Sequence, residues 1–359
     1  MGRKNQYGYQ EYRGRGGGRG RMVLLFIIAL LAVLLAAGTA FYLLVDIEYT
    51  PNGMVIHWPW VQESEAPQPT PTAPPLPSVS VEVVDPSPSV EPTPTPTPEP
   101  VYEPIAAVTV TTAQLRDGSA AQAVAAAGGN ALVVEMKGIK GRLAWQSETA
   151  LAAALWANAA DNLTAQAVGE LAENSDLYLV ARIQCFRDPL MASGWVGSLM
   201  TRGGNLWHDA QGVGWSSPAS REAVDYLSAL CLELAEMGFD EILLDSAGYP
   251  DFGEVNVLAV GENRPEDRTV PVSAFWARLS GELEEKGVAL SIQTTEDALR
   301  GDNAFSGATA AGMAQYAARV WLPAPVKGSD YASILANAGM ENTAARVVVK
   351  DAASGSWYK

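Results

Sequence analysis

The chain is poor in the residues on which most catalytic and metal sites rely. Its 359 residues include two cysteines and two histidines. There is no Cys-x-x-Cys and no His-Glu-x-x-His, which excludes a zinc cage, a disulfide-dense scaffold and most histidine-dependent chemistry. No cofactor or metal site is indicated. Basic residues are also scarce: 24 Lys and Arg stand against 40 Asp and Glu, a formal net charge of −16. Nucleic acid is therefore excluded as a partner, since its binding depends on neutralising phosphates. With 48% hydrophobic residues, the chain is too apolar to be disordered throughout and long enough for one large folded domain. Carboxylates are what remains for chemistry.

Charge and hydropathy divide the chain unevenly. Residues 1–21 form a basic tail, with Arg3, Lys4, Arg13, Arg15, Arg19 and Arg21 against Glu11. Met22 to Val45 follows without a charge, and at about 1.5 Å per residue it is long enough to cross a hydrocarbon core of about 30 Å. No Lys or Arg occurs between Arg21 and Arg116. The expectation is a single-pass protein of the cell membrane, with its N-terminus inside and its C-terminal domain extracytoplasmic. A cleaved signal peptide ending near Gly38-Thr39-Ala40 is the competing reading, but the apolar run exceeds the ~7–15 residues of a signal core.

Residues 46–66 make a juxtamembrane segment in which Pro51-Asn52-Gly53 predicts a short hairpin. From 67 to 104, 14 of 38 residues are Pro, so this stretch is read as an extended tether, able to hold a domain up to about 100 Å away.

Residues 105–359 carry the fold. Strand-like runs begin at Ala107, Ala131, Tyr178, Glu241, Val288, Arg319 and Ala345, with helical stretches between them. The clearest helix is expected over Pro218–Met237, where Val224, Leu227, Leu230, Cys231 and Leu234 share one face and Ser217 supplies the cap. Alternating strands and helices over this length indicate an α/β, TIM-like (β/α) barrel, incomplete in that seven strands are recognisable. Cys185 and Cys231 fall on apolar faces and are expected to be buried free thiols.

Barrel strands bury both faces, so polar residues at alternating positions near their C-terminal ends call for a reason. Glu135 and Lys137, Arg182 and Gln184, Asp245, and Ser291 and Gln293 share that parity. If all point inward, the mouth gathers two carboxylates and two cations, where the active sites of such barrels lie.

The stretch Ala181-Arg182-Ile183-Gln184-Cys185-Phe186-Arg187-Asp188-Pro189-Leu190, then Leu206-Trp207-His208-Asp209, Gly214-Trp215 and Gly238 to Asp245 with Tyr249-Pro250, resembles a bacterial glycoside hydrolase family with a TIM-barrel domain and no assigned specificity. Val133-Val134-Glu135-Met136-Lys137 with Gly141-Arg142 is similar to that family's Asp-x-Lys strand end. The chain departs from the pattern after Asp245, where the family's aromatic and Arg give way to Ser246-Ala247-Gly248, and at Gln293, where a further Asp is expected.

The resemblance implies a carbohydrate-facing barrel, with polysaccharide or oligosaccharide as partner and O-glycosyl hydrolysis as the reaction. Asp245 is then assigned as nucleophile or base, ionised beside Arg182, and Glu135 as acid. Lys137, Arg182, Gln184, Trp207, His208, Asp209, Trp215 and Gln293 are the expected substrate contacts, with Trp195 a further stacking surface. Asp188 and Glu296 are substitute acids. Two alternatives use the same residues: a barrel that has lost a carboxyl group and binds glycan at the envelope without cutting it, and a structural envelope protein.

Overall fold

The computed structural model describes residues 46–50, 53–57, 102–301, 305–325, 329–351 and 356–358. The basic tail, the expected membrane span over 22–45 and the tether before residue 102 lie outside them. Among the described residues no helix is long and apolar enough to cross a membrane. The expected hairpin is present: β1 (Asp46–Thr50) and β2 (Gly53–His57) pair antiparallel, with Thr50 opposite Gly53. It belongs to a compact unit separate from the barrel.

The second unit is built on β3 (Ala107–Val110), β4 (Ala131–Lys137), β5 (Tyr178–Gln184), β6 (Glu241–Asp245), β7 (Ala289–Gln293), β8 (Arg319–Leu322) and β9 (Val347–Lys350). These seven lie parallel, in chain order, and correspond to the seven runs in the sequence. The eighth place is taken by β10 (Trp357–Tyr358), which runs antiparallel to both β9 and β3 and joins them. Two residues are too few to leave a periodic pattern.

Strand parity sorts the core. Val108, Val110, Leu132, Val134, Ile242, Leu244 and Val347 face the surrounding helices in one large apolar cluster. Ala107, Ala131, Val133, Val180, Leu243, Trp321, Val348 and Trp357 fill the barrel interior. Trp321 and Trp357 meet edge to face with centroids 5.1 Å apart. Beneath this layer the Glu241 carboxylate, wholly buried, pairs with Arg319 and accepts from Trp321 Nε1 at 2.9 Å and the Tyr178 hydroxyl at 3.1 Å. Buried charge persists only where partners replace water, and this cluster supplies them.

The long helix spans Arg221–Glu236, three residues shorter at its start than the sequence suggests, and Val224, Leu227, Leu230, Cys231 and Leu234 are buried. Ser220 supplies the cap, accepting from the Ala223 amide. Ser217 instead closes the turn before it, its hydroxyl accepting from the Ala219 amide at 2.9 Å. Both cysteines are buried and free, and burial pushes the Cys185 thiol far above its usual range.

Candidate active site

The C-terminal ends of β4, β5, β6 and β7 deliver the inward-facing polar residues to one cavity of about 410 Å³. Glu135, Arg182, Gln184, Asp245 and Gln293 all line it. Its centre is the Asp245 carboxylate. Oδ2 accepts from Arg182 Nε at 3.1 Å and Gln184 Nε2 at 2.8 Å, and is also paired with Arg182 Nη2. Oδ1 accepts only from Ser246 Oγ among the described residues, at 3.1 Å. One oxygen is thus saturated by protein donors and the other has room for substrate.

Arg182 also reaches Glu135, with Nη1 3.6 Å from Oε2, so its guanidinium bridges the two carboxylates. Asp245 is 15% exposed and Glu135 50% exposed. Ser246 holds a left-handed backbone at φ 52°. Strain of this kind in a non-glycine residue collects at functional sites, and here it turns the chain directly after the central carboxylate.

A carboxyl group that no strand pattern marks completes the cavity. Asp251 lies on the loop after β6, just past Tyr249-Pro250, and lines the same space. Burial lifts its carboxyl above the usual range, and the charges of Asp297 and Asp245 push the same way, against hydrogen bonds from its own amide and Thr295. The cavity therefore holds one carboxylate tied to a guanidinium and one carboxyl group whose pKa is raised, a shift of the kind that suits a general acid.

Several expected contacts are instead engaged inside the protein. Lys137 is fully buried, 2.7 Å from Asp188 Oδ2, and donates to the Gln184 carbonyl at 2.6 Å. The β4–β5 register shifts between Glu135 and Lys137, so Lys137 pairs with Ile183 and leaves the inward row. Asp188 is committed to this pair and to the helix Pro189–Ser193, whose Leu190 and Met191 amides it caps. Asp209 is buried, accepting from Arg187 Nε at 2.7 Å, Trp215 Nε1 at 3.1 Å and the amides of Gln211 and Val213. Burial opposes its ionisation, but these donors outweigh it and hold the carboxyl below the usual range. It orders its loop.

Trp207 is likewise buried, donating to the Glu254 carbonyl and packing edge to face on Trp215. Trp215 does line the cavity, although its ring is also buried against Phe252. His208 is exposed in a bridge with Gly214 and does not line the cavity, and Trp195, 67% exposed, is also outside it. Glu296 is taken up by Arg300, Ser329 and Tyr331. Among the described residues no group of His, Cys, Asp and Glu could hold a metal ion.

A closed α/β barrel with ion-paired carboxylates at the C-terminal rim of its strands is the framework of an enzyme. The chain belongs to the family described as "Putative glycosyl hydrolase domain", whose model matches residues 105–314. No curated protein matches it. Among solved structures it is similar to a hypothetical protein from Ruminiclostridium thermocellum, with 23% identity, 52% of this chain and 96% of that chain covered, and a TM-score of 0.45. It is also similar to the PgaB (BpsB) glycoside hydrolase domain from Bordetella bronchiseptica, with 12% identity, 70% and 84% covered, and a TM-score of 0.48. A third is an Ostrinia furnacalis Group II chitinase catalytic domain, with 12% identity, 68% and 62% covered, and a TM-score of 0.41. Likenesses this remote assign no chemistry to the chain.

Proposed function

We propose that the barrel hydrolyses O-glycosidic bonds of a polysaccharide, of the cell wall or of the surroundings, and that residues 22–45 anchor it in the membrane with the barrel outside. The observation that carries the catalytic part is the presence in one cavity of two carboxyl groups with opposed environments. Asp245, bridged by Arg182, serves as base or nucleophile through Oδ1. Asp251, half-buried and beside other negative charges, acts as the acid that protonates the departing glycosidic oxygen. Glu135, half exposed and paired with Arg182, then orients the guanidinium, and the acid role expected of it passes to Asp251. Among the described residues the amide oxygens of Gln184 and Gln293 have no protein donor, and substrate hydroxyls that reach them would meet that need.

The test is release of reducing ends from a glycan panel by the full-length protein. Asp245→Asn should lower kcat by about 10³-fold or more, and Asp251→Asn by about 10²–10⁴-fold. Because Asp251 is needed protonated, wild-type kcat should fall as pH rises through its raised pKa, and Asp251→Asn should lack that fall. A wild-type protein that retains glycan but releases no product would leave a binding barrel in place of an enzyme.

A further inference from the structure

The barrel interior is not filled to the same height all round. In a packed barrel, inward side chains close the centre, and here Ala107, Val133 and Val348 are among those that do so. Two residues further along each of these strands stand Thr109 on β3, Glu135 on β4 and Lys350 on β9, and all three are exposed. The cause lies in strand length. β4 and β5 run seven residues each and carry Glu135 and Arg182 above the packed layer, whereas β3 and β9 have four and β10 has two. A well of about 350 Å³ opens over the short strands, walled by Thr109, Thr111, Lys350 and Trp357.

Glu135 and Arg182 wall this well as well as the cavity that holds Asp245 and Asp251. The bridged pair is therefore a partition with an open space on either side, each at the lower end of the ~300–1,000 Å³ usual for small-molecule sites. Hydroxyl, ammonium, carboxylate and guanidinium groups line the well together with Val110, Val133 and the Trp357 ring, a mixture that suits the polar rim and apolar face of a sugar. Lys350 Nζ sits 5.3 Å from the centre of the Trp357 ring, which holds the ammonium at the rim. Hydrogen-bonding groups spaced over a small floor suit a polyhydroxylated ring better than an apolar ligand.

We propose that this second well is a sugar-binding subsite, so that a linear glycan lies across the Glu135–Arg182 partition with units in both spaces and is cut within the chain. The proposal rests on the glycan-cleaving reading above and adds where the chain extends. Energy gained from units in the well is available to the reaction only for substrates long enough to reach it.

The experiment uses the full-length protein and chito-, cello- and xylo-oligosaccharides of one to eight units. For the wild type, kcat/KM should rise with length until both spaces are occupied. Thr109→Trp, which fills the well from an exposed strand position that accepts aromatics, and Lys350→Ala should flatten that rise by about tenfold for the longest substrates. If Thr109→Trp keeps the wild-type circular dichroism spectrum and the wild-type length dependence, the subsite is overturned while the hydrolase reading stands. If no glycan is turned over, titration decides: weaker binding of long oligosaccharides by both variants supports the well without catalysis, and binding equal to wild type overturns it. Failure of the wild type to bind any of these probes overturns both readings.

Discussion

Lys137 offers a sharp test, because strand parity places it at the mouth while the structure buries it. Its ammonium is inaccessible, 2.7 Å from an Asp188 that is 1% exposed. Lys137→Met keeps the length and apolar body of the side chain but strands the Asp188 charge. Removing one member of a buried pair costs about 3–5 kcal/mol, since the survivor keeps its desolvation cost and loses its attraction. At about 2–4 °C per kcal/mol for a domain of this size, the melting temperature should fall by about 6–20 °C, followed by near-ultraviolet circular dichroism of the full-length protein. Adding Asp188→Asn removes the stranded charge yet keeps an acceptor for the Leu190 and Met191 amides. The double variant should therefore recover more than half of the loss, and the cycle isolates the coupling. A Lys137→Met protein as stable as wild type, with a raised KM for glycan, would refute the reasoning and return Lys137 to the substrate.

Asp251→Asn should change how stability depends on pH. The raised pKa means that the folded protein holds the Asp251 proton more tightly than the unfolded chain does, a contribution fully present at pH below the unfolded value of about 3.9 and lost as pH rises through the folded one. The variant should match wild type near pH 3 and exceed it at pH 7 in urea unfolding, and equality at both would place Asp251 in water. Glu233 ties the loop after β4 to the long helix by accepting from Trp145 Nε1 at 2.8 Å, Ser147 Oγ at 3.0 Å and the Glu148 amide at 2.9 Å. Glu233→Ala should cost about 2–3 kcal/mol and speed amide exchange in that loop, and an unchanged exchange pattern would contradict these bonds. Ser246→Gly should relieve about 1 kcal/mol of left-handed strain while lowering kcat, because Asp245 Oδ1 loses its hydroxyl donor. A faster enzyme would count against that orienting role.

Period-two alternation made much of the barrel and the centre of its mouth legible. Glu135, Arg182, Asp245 and Gln293 could be placed together because a strand forces residues two apart onto one face. The same rule misplaced Lys137, since a one-residue shift in pairing moves everything beyond it to another face and leaves no mark in the sequence. Asp251 was invisible for a different reason: it sits in a loop, where no period operates, and its surroundings come from elements far along the chain, among them Thr295 beyond β7, whose hydroxyl donates to it. Asp209 and Trp207 read as ligand contacts because polar and aromatic loop residues carry function in many barrels. Here the long excursion between β5 and the helix Arg221–Glu236 uses them for its own support. The closing strand escaped notice because it is too short to have a pattern.

The brevity of β10 has a consequence for motion. Among the described residues it meets β3 through one residue pair and β9 through two, whereas β4 and β5 share six pairs. Fluctuations that part the wall should therefore begin at this seam, which costs the fewest backbone bonds to unzip. A polymer settling beside Trp357 would then clasp the weakest joint of the cylinder, so that occupancy and rigidity rise together.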